Sequence, residues 1–135
     1  MRQLEKYPVR ILLAFDMAVQ GDTAFLEWLL KNGFPELGAL AGAIRASEDA
    51  IQWLMNNGYV HYAAFDAASV DDDAALLWLR KHKYFFLAVL AEASRGDEKA
   101  IAWLNRRKLD IFVRIAKHIK DFADGQVFDY HKMPF

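Results

Sequence analysis

The chain of 135 residues has no cysteine, only three prolines and seven glycines, and no long apolar run. The absence of cysteine excludes a disulfide framework, a thiol nucleophile and cysteine-ligated metal sites. The scarcity of proline and glycine argues against a turn-rich β-sandwich. Asp16 ends the apolar run of residues 11–15, which is too short for a secretory signal. No segment approaches the roughly 18 apolar residues of a membrane helix. We therefore expect a cytoplasmic protein that makes no membrane contact.

What the chain does contain points to one folded domain over residues 1–135. Apolar residues make up 55% and charged residues 26%, and the net charge is −1. This apolar content excludes a disordered chain, and the charge balance excludes a strongly charged nucleic-acid tail. A chain of this length buries about two-thirds of its unfolded surface.

An internal repeat of 25 residues organises the chain. The four tryptophans are spaced by this period and each is followed by leucine: Trp28, Trp53, Trp78 and Trp103. A column of small residues fifteen positions later holds Ala43, Ala68 and Ala93, and becomes His118 in the last unit. This regularity predicts one structural unit per 25 residues.

Each unit is predicted to contain two short helices. The first begins after a residue whose side chain can cap free backbone amides. These capping residues are Asp22, Ser47, Asp72 and Asp97. Gly33 and Gly58 lie where a left-handed helix terminus is expected, and a second apolar helix follows. Two such helices fill the unit and leave no room for strands.

A pair of ten-residue helices cannot bury its own apolar face, so the units must stack. The sequence predicts an all-α fold, an α-solenoid of about four and a half stacked two-helix repeats with a degenerate C-terminal cap. The predicted parts are a half repeat 1–20, repeats 21–45, 46–70, 71–95 and 96–120, and a capping tail 121–135 that folds back on the last helix after about residue 123. The polar column at His118 is interpreted as the free face of that helix.

Two of the units resemble ankyrin repeats. The residues that match the family pattern in order are Ala91, Ala93, Gly96, Asp97, Ala100, Ile101, Trp103 and Leu104, and, one unit earlier, Ala41, Ala43, Ala50, Ile51, Trp53, Leu54 and Gly58. A period of 25 lacks the β-hairpin finger of the 33-residue ankyrin unit, and HEAT-like repeats are also compatible. The resemblance implies a surface that binds protein partners and has no chemistry of its own.

The four tryptophans are predicted to form the structural core, mostly buried and stacked in a row about one repeat apart. The alternative is a ladder of exposed aromatic rings for base or carbohydrate stacking. We favour the core because one tryptophan per unit is about what a two-helix layer can bury.

The sequence offers little material for catalysis. It lacks the common nucleotide-binding, metalloprotease and hydrolase motifs, and its four histidines show no helical metal-ligand spacing. Asp16 and Asp66 share one column, but two repeats separate them, which is too far for paired acid–base chemistry. Each is expected to accept a hydrogen bond from a neighbouring amide or tyrosine, such as Tyr62 or Tyr84, and the alternative for Asp66 is a role in a pocket. We expect no enzyme, no metal and no cofactor.

Charge is distributed unevenly along the chain. Residues 1–79 carry 5 basic and 11 acidic side chains, whereas residues 80–120 carry 11 basic and 4 acidic ones. A linear stack converts this asymmetry into an acidic front and a basic rear. Cations at the ends of the tryptophan helices are predicted to form one basic ridge, made of Arg80, Lys81, Lys83, Arg106, Arg107 and Lys108. The alternative interpretation is that these cations lie in solvent at the C-terminal ends of helices, where a positive charge is favourable.

The second helices are predicted to present an apolar surface that includes Val60, Phe85 and Val89. An apolar centre with charged flanks is typical of a protein-binding groove, whereas tight packing inside a curved solenoid is the alternative. The sequence thus predicts a non-catalytic protein–protein interaction module, an adaptor or an inhibitor, that binds another protein on its repeat surface. The alternative function is binding of nucleic acid or another phosphate-bearing partner through the basic ridge of residues 80–120.

Overall fold

A computed structural model describes residues 2–132, with side chains described for residues 2–125. This part of the chain is all-α and contains no strand. A short 3-10 helix, Leu4–Lys6, precedes the α-helices, which are α1 (Val9–Val19), α2 (Thr23–Lys31), α3 (Pro35–Ile44), α4 (Glu48–Asn56), α5 (Val60–Ser69), α6 (Asp73–Lys81), α7 (Phe85–Ser94), α8 (Glu98–Arg106) and α9 (Asp110–Lys132). No helix in this part is long and apolar enough to cross a membrane.

The predicted capping residues start the even-numbered helices. The Asp22 side chain accepts from the amides of Ala24 and Phe25 at 3.0 and 3.2 Å. Ser47, Asp72 and Asp97 cap α4, α6 and α8 in the same way. This prediction is confirmed, and it fixes each helix start by satisfying amides that lack a partner within the helix.

The turns that end these helices require a left-handed residue. Gly33 and Gly58 have φ values of 91° and 85°, as predicted. Lys83 and Lys108 occupy the same column in the last two units and adopt φ values of 66° and 58°. A side chain in this conformation is strained, because its Cβ crowds the backbone.

The odd-numbered helices form a closed ring. Each of α1, α3, α5 and α7 contacts the next odd-numbered helix, and α9 contacts α1. The even-numbered helices pack outside this ring, each against the helices before and after it in the chain. The linear stack with two free ends is therefore wrong, and the acidic front and the basic rear are neighbours.

One column of large apolar residues fills the centre of the ring. Its members have no exposed surface and come one from each odd-numbered helix: Phe15, Leu40, Phe65, Leu90 and Ile115. A second buried column lies in the even-numbered helices and consists of the leucines that follow the tryptophans: Leu29, Leu54, Leu79 and Leu104. Leu4 continues this column, so the 3-10 helix stands where a further outer helix would stand.

The tryptophans do not form the predicted spine of the core. Trp28 is 42% exposed, while Trp53, Trp78 and Trp103 are half-buried and pack against the core. Within residues 2–125 no tryptophan ring stacks on another. The prediction fails because the leucine of each Trp–Leu pair points inward, which turns the tryptophan 100° around the helix toward its edge.

Asp16 joins the two ends of the chain across the ring closure. Its carboxylate is fully buried and accepts from Arg114 Nε at 2.8 Å and from the Gln20 amide at 3.1 Å. His118 Nδ1 lies 2.7 Å from its other oxygen. The expected amide donor is present, but the two shortest contacts come from α9. His118 and Arg114 therefore do not lie on a free face, because this side of α9 packs against α1.

The last helix continues past its predicted end. Residues 121–132 extend α9 to 23 residues, where the sequence predicted a tail that folds back after about residue 123. Residues 133–135, the end of the predicted cap, lie outside the described residues. Phe122 of this extension lies against the ring, with the Arg45 guanidinium 4.7 Å from its ring centre.

Candidate functional site

One end of the molecule combines exposed aromatic side chains with the predicted basic ridge. We call it the tryptophan end and define it as the turns where the outer helices finish and the inner helices begin, together with the flanking residues (28–35, 53–61, 78–86 and 103–110). The turns all face one way because every outer helix runs in the same direction around the ring. The opposite end holds the turns near residues 20, 45, 70 and 95.

Each tryptophan has a partner within its own turn. Trp53 stacks on Tyr59 at 5.9 Å between ring centres, and Trp78 stacks on Tyr84 at the same distance. Trp28 and Phe34 form the equivalent pair at 6.2 Å. These pairs pack within the turns and leave each tryptophan partly exposed.

The pairs of two neighbouring units are joined by His61. Its ring lies 4.8 Å from Tyr84, nearly parallel, and 6.0 Å from Tyr59. His82 adds a further contact, 4.3 Å from the Trp78 ring. Burial lowers the pKa of His61, so its ring is neutral and stacks as an aromatic. We call this continuous series the aromatic row: Trp53, Tyr59, His61, Tyr84, Trp78 and His82.

The predicted basic ridge lies beside the aromatic row, and all six of its residues are exposed. Arg80 forms an ion pair with Glu92 at 2.9 Å. The Arg107 guanidinium lies over the Trp103 ring at 3.8 Å, whereas the other three tryptophans stack on an aromatic residue. Among the side chains of residues 2–125, no carboxylate lies within ion-pair distance of Lys81, Lys83 or Arg106. These three positive charges face solvent.

A cavity of about 490 Å³ opens between the N-terminal segment and the starts of α5 and α7. Lys83, Tyr84 and Phe85 form one side of it, and Leu4 and Glu5 belong to the other. This volume lies within the roughly 300–1,000 Å³ of ligand sites. The cavity gives the tryptophan end a concave feature.

The N-terminal segment is held in place by buried polar contacts. The Tyr7 hydroxyl donates to the buried Glu36 carboxylate over 2.5 Å, and its ring meets Phe34 edge-on. Burial and the adjacent Glu36 carboxylate raise the pKa of Tyr7, so the hydroxyl keeps its proton. This contact fixes one wall of the cavity.

The structure separates the predicted apolar surface into exposed and packed parts. Val60 is 37% exposed and Phe85 59% exposed, and both lie at the tryptophan end. Val89 is half-buried and packs against the core. Gly42, on the same surface, would place an added Cβ 3.0 Å from Ala50. The predicted groove along the second helices is therefore wrong, because the outer helices fill it.

Sequence reasoning missed the residues that connect the site. Tyr84 and His61 complete the aromatic row, and the segment around Leu4 forms a wall of the cavity. The column Phe34, Tyr59 and Tyr84 was an available signal, since it keeps an aromatic residue six positions after tryptophan. His61 gave no signal, because no other unit has histidine at its position.

The described side chains contain no group of three residues able to hold a metal ion. The chain matches no protein-family model, and no curated protein or solved structure matches it significantly. The geometry of the tryptophan end is thus the basis for a functional proposal.

Proposed function

We propose that the chain is an ankyrin-like α-solenoid of about four and a half two-helix repeats whose ends meet, and that it acts as a non-catalytic protein–protein interaction module. The partner is a protein with an acidic surface, and it binds at the tryptophan end. The buried columns at 25-residue spacing support the repeat description. The adaptor and inhibitor roles both use such a surface.

The observation that carries this proposal is the juxtaposition of the aromatic row with cations that form no ion pair among the side chains of residues 2–125. Tryptophan, tyrosine and arginine are the residues that most often dominate the energetics of protein interfaces. Here their rings are fixed by stacking, so little conformational entropy is lost on binding. Lys81, Lys83 and Arg106 supply positive charge beside them, which favours an acidic partner.

The strained lysines give independent support. Glycine fills the left-handed turn position in two units without strain, yet Lys83 and Lys108 occupy it in the units that form the basic ridge. A left-handed lysine costs about 1 kcal/mol. Strained residues cluster at functional sites, where the side chain has a use that offsets this cost.

Binding of single-stranded nucleic acid is the second candidate function. It is favoured by cations interleaved with rings, as where Arg107 covers Trp103. It needs ring faces on which bases can stack. In the aromatic row most faces are already occupied by neighbouring rings, so we rank it below protein binding.

The interaction proposal is tested by comparing surface variants in pull-downs from the native host. Phe85→Ser and the charge reversal Lys81→Glu/Lys83→Glu/Arg106→Glu are expected to lose a specifically bound protein. The matched controls are Leu77→Ser, since Leu77 is 65% exposed on an outer helix, and Lys99→Glu at the opposite end. If the controls lose the partner as fully as the test variants, the tryptophan end is not the binding surface.

The second candidate is tested by a gel-shift titration with a labelled oligothymidine at low salt. The interaction proposal expects no retardation at tens of micromolar protein. Retardation that disappears in the charge-reversal variant and weakens with added salt would establish the nucleic-acid function instead.

A further inference from the structure

A second cavity lies at the end of the ring opposite the tryptophan end. It has a volume of about 540 Å³ and is formed where α3, α5 and α7 finish beside α9. Most of its wall is apolar and comes from Ile44, Ile51, Val70 and Phe122. A cavity of this size holds a small organic molecule.

Asp66 is the unusual residue of this wall. It is half-buried, and no side chain among residues 2–125 donates a hydrogen bond to its carboxyl group. The predicted tyrosine or amide donor is therefore absent from the described residues. Asp16, in the same column two repeats earlier, has donors from Arg114 and Gln20. Burial raises the pKa of Asp66 to about 7.

The cations near Asp66 contact other groups, although Arg95 Nη2 is buried and has no hydrogen-bond partner among the described residues. Arg95 donates to the Ala68 carbonyl at 2.7 Å and to Asp73 at 2.8 Å. Lys120 pairs with Asp124 at 2.8 Å. Asp71, also in the cavity wall, adds a further negative charge. The cavity thus combines apolar walls with a carboxyl group that has no cation within ion-pair distance among the side chains of residues 2–125.

We propose that this cavity binds a small organic cation, a protonated amine carried on an apolar body about the size of one ring, with the Asp66 carboxylate as its counter-ion. The apolar wall takes the body, and burial strengthens the ion pair relative to water. A divalent metal ion does not fit, because it needs several oxygen ligands close together, and the described residues contain no group of three such side chains placed to hold one. This inference is independent of the function of the tryptophan end.

The test uses 2-phenylethylamine as the probe and isothermal titration calorimetry as the measurement. Two probes of similar shape serve as controls, the neutral 2-phenylethanol and the anionic 3-phenylpropionate. We expect the amine to bind at least about ten-fold more tightly than either, which is the size of an effect from one charge-assisted contact. Equal affinity for the three probes, or no binding of the amine, would overturn the proposal.

Two variants locate the contact. Asp66→Asn is expected to abolish the preference for the amine, because it keeps the shape and removes the charge. Asp71→Asn is the matched control, since it removes a neighbouring charge at a left-handed position that asparagine tolerates. It is expected to change the affinity less than three-fold. Amine binding that survives in Asp66→Asn would contradict the proposal.

The pH dependence of the wild-type chain gives a measurement that needs no variant. An acid with a pKa near 7 increases its ionised fraction about ten-fold between pH 6 and 8. The affinity for the amine should rise by that factor over this range. The other charged groups of the wall are Arg95 from the turn after α7, Lys120 and Asp124 from α9, and Asp71 from the turn after α5. A flat profile would exclude Asp66 as the counter-ion.

Discussion

Each outer helix carries a Trp–Leu pair whose two side chains differ in burial. The leucines have no exposed surface, whereas Trp28 is 42% exposed and contacts mainly Phe34 of its own turn. The tryptophan rings are therefore not the main source of core packing here. The tryptophans stabilise the turns, and the leucines fill the space between the two layers.

This difference in burial predicts that truncating a leucine lowers the free energy of unfolding more than truncating a tryptophan. Leu54→Ala should lower the free energy of unfolding by about 3 kcal/mol, because it leaves a cavity in the core. Trp28→Ala should lower it by about 1 kcal/mol, the value of a surface-exposed stacked pair. Urea unfolding of both variants measures these values. A larger loss for Trp28→Ala would mean that the tryptophan column is the core after all.

At the scale of elements, most of the helices could be predicted from the sequence. The 25-residue period indicates the repeated pairs of helices, and the capping residues together with Gly33 and Gly58 are local signals that act within one turn of a helix end. Which face of a helix turns inward was harder to predict. Tryptophan and leucine are both apolar, and only packing against the second layer decides which of them is buried.

Lys83 and Gly33 occupy the same turn position in different units, so each residue can be replaced by the other. Lys83→Gly should raise the free energy of unfolding by about 0.5–1 kcal/mol, since glycine adopts a positive φ without strain. Gly33→Lys should lower it by a similar amount, because an added Cβ at Gly33 meets no atom within 4 Å and only the backbone strain remains. Thermal unfolding measures both.

The Lys83→Gly variant also separates an effect on stability from an effect on partner binding. If Lys83 is retained for binding, Lys83→Gly should weaken capture of the partner while it stabilises the fold. Unchanged capture by a stabilised Lys83→Gly protein would remove the support that the strained turns give to the proposed function.

At the scale of the whole molecule, the decisive feature is the contact between the first and last inner helices. Asp16 and Arg114 are 98 residues apart in the chain, and Asp16 and His118 are 102 apart. Periodicity predicts only which neighbouring units touch, so it could not reveal that the ends meet. The one available signal was that the small-residue column becomes polar at His118 while Asp16 adds a charge near the first apolar face.

The Asp16 contacts predict that removing only its two donors on α9 destabilises the fold more than removing the donors together with the Asp16 carboxylate. The Arg114→Ala/His118→Ala variant leaves a fully buried carboxylate with one side-chain donor, and it should lower the free energy of unfolding by about 3–5 kcal/mol. Adding Asp16→Leu should recover a large part of this loss, because the buried charge is then gone. Urea unfolding of the double and triple variants tests this. An equal or greater loss in the triple variant would contradict it.

Closure of the ring decides where every surface lies, so its direct measurement is the sharpest test. The chain has no cysteine, so Leu13→Cys and Lys117→Cys introduce two unique sites for spin labels on exposed positions of α1 and α9. Adjacent helices lie about 8–10 Å apart, so pulsed electron resonance should give a narrow label distance below about 25 Å. An open stack would separate these helices by four layers and give about 40 Å or more. The longer distance would contradict the closed ring.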